Sequence, residues 1–136
     1  MTTEAFFLPA TVGRRFAILH RPGDAGNARG AVVYVHPFAE EMNKSRRMAA
    51  LQARAMAGAG YTVLQVDLLG CGDSSGDFAD ASWDAWRADV ELAHDWLRQR
   101  TVAPLWLWGL RSGCLLANEV AIRMAGEVNL LFWQPV

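Results

Sequence analysis

Two glycines, at positions 109 and 113, frame the segment of this sequence that is best spaced to present a reactive side chain. Each lies two positions from Arg111, where an apolar stretch gives way to a helix-forming one. This is the spacing of the tight strand-to-helix turn that holds a catalytic nucleophile, in which the residues two positions away must be small. Arginine cannot be the nucleophile, because its guanidinium stays protonated and offers only hydrogen-bond donors.

Two other uses remain open for Arg111. A cation beside a helix N-terminus can hold a carboxylate or a phosphate group, since free backbone N–H groups lie nearby. Alternatively, the arginine forms an ion pair with Glu40 or Glu41, which follow an earlier apolar segment. The sequence favours these two interpretations equally.

Ser112, next to this arginine, also has two interpretations. With the turn centred on residue 111, Ser112 supplies a backbone N–H to an oxyanion and its hydroxyl caps the following helix. With the turn centred on Ser112 itself, the hydroxyl is the nucleophile. The second arrangement places Leu110 and Cys114 where small residues are needed, so the sequence favours the first.

Residues 36–41 form a second segment with chemical potential, because they follow a β-branched run. In enzymes with a nucleophile turn, the loop at this place supplies one backbone N–H to the oxyanion hole. Phe38 is the expected donor, and a simple strand-to-helix turn without that role is equally compatible with the sequence. His36 ends the strand and is expected to border the site, together with Glu40.

A third segment, residues 67–76, is dense in glycine, serine and aspartate. It resembles the Asp-x-Arg-Gly-x-Gly-x-Ser loop that follows the fourth strand in many α/β-hydrolases. Its glycines permit tight backbone turns beside an active-site entrance. Cys71 lies in this loop without an adjacent histidine or basic residue, which favours a structural role over a reactive thiol.

The alternation of apolar and helix-forming segments predicts the fold class. Asn43 and Ser82 are the expected helix N-caps, Gly60 is the expected left-handed C-terminal residue, and Gly109 is expected to end a strand. The parallel strands need helical crossovers, so we predict an α/β protein whose open, mostly parallel sheet carries helices on both faces. The predicted strands span residues 4–8, 14–20, 31–35, 61–67, 105–108 and 128–133, and the predicted helices span 43–59, 82–100 and 112–124.

Composition narrows the classes of partner. The formal net charge of −1 gives no electrostatic reason to expect nucleic acid or an anionic membrane as a partner. Two cysteines without a disulfide pattern, and no secretory signal, predict a cytoplasmic protein. No apolar run is long enough for a membrane span. No cofactor is expected, because the sequence has no metal-ligand cluster, phosphate-binding loop or dinucleotide fingerprint.

Taken together, these segments resemble one family, the exosortase A system-associated hydrolase 2 group of the α/β-hydrolase superfamily. The resemblance runs from about Gly13 to the end of the chain and is most specific over residues 36–47, 67–74 and 108–111. It implies an α/β-hydrolase fold in a bacterial protein associated with exosortase and exopolysaccharide systems. It also implies that arginine at the turn is a feature of the group, which argues against ordinary serine hydrolysis.

We predict that residues 1–136 are the N-terminal part of a single α/β-hydrolase domain, truncated after the sixth strand. A catalytic triad on this fold needs an acid and a histidine after the nucleophile. Only Glu119 and Glu127 follow Gly113, and no histidine does, so the triad is degenerate within this sequence. Since the last predicted strand is apolar on both faces, the remainder of the domain or a partner chain is expected beside it.

Three functions are compatible with these residues. The first is hydrolysis of a small ester, thioester or amide, linked by the resemblance to exosortase and exopolysaccharide systems. The second is non-catalytic binding of a small anionic ligand at Arg111. The third is an interaction subunit that pairs with another protein through its open sheet edge.

Overall fold

The computed structural model describes residues 1–124 and 127–136 as six strands and three α-helices in the predicted order. Two short 3₁₀ turns, Ala25–Asn27 and Phe78–Asp80, lie in the connections. The strands are β1 (Thr2–Pro9), β2 (Arg14–Arg21), β3 (Gly30–Val35), β4 (Tyr61–Val66), β5 (Leu105–Leu110) and β6 (Asn129–Trp133), and the helices are α1 (Glu40–Gly58), α2 (Trp83–Arg98) and α3 (Gly113–Arg123).

The six strands form one sheet in the order β1-β2-β4-β3-β5-β6. Strands β4, β3, β5 and β6 are parallel, whereas β1 and β2 are antiparallel to their neighbours. At the centre, Val33 lies between Leu64 and Leu107, and all three are fully buried. A parallel strand covered on both faces reads as a continuous apolar run, which is why β3 was predictable. The predicted α/β class is confirmed.

Helices cover both faces of the sheet, as predicted. On one face Val33 and Val35 pack in a core with side chains of α2 and α3, such as Val90 and Leu116. On the other face Val32, Tyr34 and Trp108 pack with two alanines of α1, Ala49 and Ala53. Small residues at four-residue spacing let α1 lie close to the sheet. Each large aliphatic side chain buried in this way contributes roughly 1.5–3 kcal/mol.

Several predicted element ends need correction. Helix α1 begins at Glu40, so Asn43 lies inside the helix and is not its N-cap. The reason is that Ala39 takes a positive φ of 54°, which starts the helix directly after the loop. Gly109 does not end β5, which continues to Leu110. The prediction for Ser82 is confirmed, since its side chain accepts a hydrogen bond from the amide of Ala85 at 3.0 Å.

Strand β6 forms one edge of the sheet and pairs only with β5. Two of its apolar side chains, Leu131 and Phe132, are 40% and 41% exposed.

Within the described residues, no helix combines the length and the apolar character required to cross a lipid bilayer.

Candidate functional site

The carboxyl edge of the sheet is where the backbone is most strained. Three non-glycine residues in the described part of the chain have positive φ: Ala39 at 54°, Arg111 at 51° and Gln134 at 47°. They follow strands β3, β5 and β6 respectively, and these strands are neighbours in the sheet. Left-handed backbone at a residue with a side chain costs about 1–3 kcal/mol and concentrates at functional sites. The strain therefore marks the same edge that the sequence motifs indicated.

The glycines on either side of Arg111 are required by close packing. A Cβ atom at Gly113 would lie 2.2 Å from the carbonyl oxygen of Val35 and 2.8 Å from that of His36. A Cβ atom at Gly109 would lie 2.7 Å from the Cα of Cys114. Because the obstructing atoms are backbone atoms, no side-chain rotation relieves either clash. The turn from β5 into α3 thus has the backbone form of a nucleophile turn, with Arg111 at its centre.

Arg111 is held at the top of this turn by two contacts. Its amide donates to the carbonyl oxygen of Trp133 at 2.9 Å, which ties the turn to the end of β6. Its Nε donates to a carboxylate oxygen of Glu41 at 3.1 Å. Of the two predicted acidic partners, the structure selects Glu41. Glu40 is the exposed first residue of α1 and forms no ion pair within the described residues, so its expected role at Arg111 needs correction.

Ser112 and Phe38 meet across the carboxyl edge. The amide of Phe38 donates to the Ser112 hydroxyl oxygen at 3.1 Å. Ser112 occupies the N-cap position of α3, but its side chain makes no capping hydrogen bond. The predicted capping role of this hydroxyl is therefore wrong. The oxygen instead binds the amide that was expected to face an oxyanion.

The side chain of Phe38 anchors its loop to α2. Its ring centroid lies 4.5 Å from that of Trp86 and 5.9 Å from that of Trp83, the latter in edge-to-face contact. Trp86 in turn contacts Phe78, which is 53% exposed. Such aromatic pairs contribute about 0.5–1.5 kcal/mol beyond burial. They fix the loop so that the Phe38 amide points back toward the turn at Arg111.

His36 lies at this edge with both ring nitrogens engaged. The amide of Leu68 donates to Nε2 at 3.1 Å, so Nε2 carries no proton, and Nδ1 donates to the carbonyl oxygen of Pro37 at 2.7 Å. Burial is the main cause that lowers the pKa of this imidazole. The ring braces the loops after β3 and β4, and the expectation that His36 borders the site stays a prediction.

Asp67 organises the loop after β4. Its carboxylate accepts from Arg46 at 3.1 Å and from the amide of Asp73 at 3.0 Å. Gly72 has no room for a side chain, since a Cβ there would lie 2.1 Å from this carboxylate. Cys71 is buried, and burial, followed by the charges of Asp67 and Asp89, raises the pKa of its thiol to about 11. Burial therefore favours the structural role predicted for Cys71 over a reactive thiol.

Sequence reasoning missed one buried ion pair, between Arg15 on β2 and Asp89 on α2. Arg15 Nε donates to Asp89 at 2.8 Å, and the side chains are 5% and 4% exposed. The second carboxylate oxygen of Asp89 accepts from the amide of Leu69 at 2.8 Å, which fixes the start of the loop after β4. A signal was available: Asp89 lies on the apolar stripe of α2 between Trp86 and Ala93, where an acidic residue requires a partner.

Within residues 1–124 and 127–136, no group of three or more His, Cys, Asp and Glu side chains is placed to hold a metal ion. The polar groups assembled at the carboxyl edge are the amide of Phe38, the hydroxyl of Ser112 and the guanidinium of Arg111. They can bind an oxygen-rich group through hydrogen bonds and one positive charge.

These features, a strand-to-helix nucleophile turn on a mostly parallel sheet with an amide-bearing loop after β3, define the α/β-hydrolase fold. The sequence model of the X-Pro dipeptidyl-peptidase (S15) family matches residues 16–115. The chain belongs to this family.

Solved structures confirm the fold. XC6422 from Xanthomonas campestris, described as an α/β serine hydrolase without a lid, shares 25% identity with a TM-score of 0.78, over 96% of this chain and 60% of that one. Est1E from Butyrivibrio proteoclasticus, solved with ferulic acid, shares 19% identity with a TM-score of 0.79, over 91% of this chain and 49% of that one. The likeness to Est1E concerns the fold alone.

A human relative, protein ABHD12B, is 30% identical over 91 residues. The match covers 66% of this chain and 24% of that protein. The chain thus matches about a quarter of this curated relative, and about half or somewhat more of the two solved structures.

Proposed function

We propose that this chain supplies the oxyanion-binding half of a hydrolase that acts on a small ester, thioester or amide. The observation that carries the proposal is the meeting of Phe38 and Ser112 at 3.1 Å, because these two segments provide the oxyanion donors of the fold. Membership of a peptidase family and structural likeness to a serine hydrolase support the same reaction class.

In this proposal the backbone N–H groups of Phe38 and Ser112 bind the carbonyl oxygen as negative charge develops on it. Loss of one such donor typically reduces kcat by roughly 10²–10³-fold. Arg111 cannot attack the carbonyl, so the nucleophile is the Ser112 hydroxyl or a water molecule. For Ser112 to attack, its oxygen must leave the Phe38 amide, which then becomes available to the substrate oxygen.

We further propose that residues 1–136 are the N-terminal part of a single domain. The acid and the histidine then come from the remainder of that domain, packed beside β6, and the domain works in the cytoplasm. The resemblance of residues 36–47, 67–74 and 108–111 supports a link to exosortase and exopolysaccharide systems. The intact mass of the protein from its native host tests this arrangement: a mass well above that of 136 residues supports it, and a mass equal to theirs contradicts it.

A second candidate function is non-catalytic binding of a small anionic ligand. The position of Arg111 favours it, because the strained centre of the turn holds a cation whose side chain is 44% exposed. A variant of this candidate has a partner protein pairing with the apolar edge strand β6, in which case the two would co-purify at fixed stoichiometry.

Turnover of p-nitrophenyl acetate and of an acetyl thioester by the full-length protein separates the two candidates. Turnover that survives Ser112→Ala, but is lost when the loop that holds Phe38 is altered, supports hydrolysis with water as the nucleophile. Turnover abolished by Ser112→Ala assigns the nucleophile to the Ser112 hydroxyl. It would overturn the interpretation that Ser112 contributes only its backbone N–H. Absence of turnover, with anion-dependent thermal stabilisation that disappears in Arg111→Ala, supports the binding function.

A further inference from the structure

The backbone of Arg111 is held in place, whereas the end of its side chain can exchange its binding partner. Its φ of 51° and its amide hydrogen bond to Trp133 place the Cα at the top of the turn. The side chain makes one hydrogen bond to protein in residues 1–124 and 127–136, from Nε to Glu41. The two terminal nitrogens of the guanidinium therefore make no hydrogen bond to protein in the described structure.

Glu41 is a weak partner for this cation. The two side chains are 44% and 49% exposed, and an exposed ion pair of this kind contributes little net stability because water competes with it. The contact uses one carboxylate oxygen, whereas guanidinium binds carboxylates best through two parallel hydrogen bonds. An external carboxylate that reaches both terminal nitrogens can therefore make a better contact than Glu41 does.

We propose that the Glu41 carboxylate stands in for the carboxylate of a small ligand at Arg111 and competes with that ligand for the guanidinium. This inference rests on the second candidate function, anion binding at Arg111. It assigns the ligand to the monoanionic carboxylates, since Glu40 and Glu41 at the start of α1 add negative charge that disfavours a doubly charged phosphate. The Phe38 amide and the Ser112 hydroxyl provide polar groups for the adjoining part of the ligand.

The test is a titration of acetate, and separately of inorganic phosphate, into the full chain, followed through the NMR signal of the Arg111 Nε–H group. Glu41→Gln is expected to tighten acetate binding about two- to fivefold, because it removes the competing charge of an exposed pair. Glu40→Gln removes the same charge one residue away without touching Arg111, so it is expected to change acetate affinity by less than about twofold. Addition of Arg111→Gln to Glu41→Gln should abolish the binding, as read from the amide signals of Phe38 and Ser112.

Three outcomes contradict the inference in distinguishable ways. Equal acetate affinity in the wild type and in Glu41→Gln, with both dependent on Arg111, would show that Glu41 does not compete with the ligand. The anion site at Arg111 would still stand. Tighter binding of phosphate than of acetate in the wild type, in which Glu40 and Glu41 are both charged, overturns the carboxylate assignment. Acetate binding that persists without Arg111, or that is absent from every variant, overturns both the inference and the candidate function beneath it.

Discussion

The hydroxyl oxygen of Ser112 lies 3.1 Å from the amide nitrogen of Phe38, 74 residues away in the chain, and accepts its hydrogen bond. This contact joins the loop after β3 to the turn after β5. In the proposed hydrolysis, a substrate oxygen would use the amide that is bonded to this hydroxyl. The substrate oxygen must then displace the hydroxyl.

Replacement of Ser112 by alanine should expose this amide at a modest cost. We expect Ser112→Ala to lower the free energy of unfolding by about 0.5–1.5 kcal/mol, as for other hydrogen bonds of this kind. Amide exchange at Phe38 should become faster. Ser45→Ala is the control, because the Ser45 hydroxyl donates to the carbonyl groups of Glu41 and Met42 in its own helix. Urea denaturation and hydrogen exchange measure both effects, and unchanged protection of Phe38 in Ser112→Ala would contradict the contact.

The brace formed by His36 predicts a pH dependence of stability. Burial lowers the pKa of this imidazole below its ordinary 6.5, so the unfolded chain binds a proton at a higher pH than the native protein does. Stability from His36 is therefore complete above pH 6.5 and is lost as the pH falls through the window below it, with a slope of at most about 1.4 kcal/mol per pH unit.

This loss of stability is measured by urea denaturation at pH values from roughly 7.5 to roughly 5, the range in which histidine side chains titrate. His36→Gln removes the titrating ring, so its stability should fall less than that of the wild type over this pH range, while the charges of Asp67 and Arg46 nearby stay in place. Parallel stability curves for the two proteins across this range would show that protonation of His36 is not linked to folding.

The sequence was informative where packing repeats a simple period. The structure contains the elements predicted from the continuous apolar run of β3 and from the three- and four-residue spacing on α2 of Trp86, Val90, Ala93 and Leu97. The glycine spacing around Arg111 predicted the turn, because a Cβ at Gly113 is excluded by backbone atoms alone. In these cases the constraint is local and lies within a few residues.

The sequence was uninformative where the partner lies far along the chain. The choice of Glu41 over Glu40 depends on the start of α1, which Ala39 sets through a positive φ that alanine rarely adopts. The position of Ser112 next to a helix end predicts a capping role for its hydroxyl, whereas the partner of that hydroxyl is the amide of Phe38. Local preference could not reveal either contact, because each is decided by how two loops meet at the carboxyl edge.

Gly113 should be the least replaceable residue of the turn. We expect Gly113→Ala to destabilise the protein by at least about 1–3 kcal/mol, because its methyl group would lie 2.2 Å from the Val35 carbonyl oxygen. Gly58→Ala is the matched control: it lies at the end of α1 with no atom within 4 Å of the added Cβ, so we expect it to be neutral or slightly stabilising. Thermal melts of both variants provide the comparison, and similar melting temperatures would contradict the close packing of α3 on β3.

The buried pair of Arg15 and Asp89 should matter far more than a surface pair. Asp89→Asn leaves the buried Arg15 charge without its charged partner, which we expect to cost about 3–5 kcal/mol. Asp84→Asn breaks the pair with Arg87, in which the Asp84 side chain is 82% exposed, and should cost no more than about 0.5 kcal/mol. Chemical denaturation measures both, and a small loss in Asp89→Asn would show that Arg15 is well solvated when its partner is neutral.

We expect the strained backbone of Arg111 to lower the stability of the fold. Such a cost would indicate that the arginine side chain is retained for binding. An L-residue with a φ of 51° carries about 1–2 kcal/mol of strain that glycine does not. Both Arg111→Gly and Arg111→Ala lose the ion pair with Glu41. The difference between their free energies of unfolding therefore reports the contribution of the backbone at residue 111. We expect Arg111→Gly to be more stable than Arg111→Ala by about 1 kcal/mol, after allowance for the greater freedom of glycine in the unfolded chain. Urea denaturation gives this difference directly, and acetate titration of the same samples should show no binding in either variant. A Gly variant that is less stable than the Ala variant would mean that the turn does not strain residue 111.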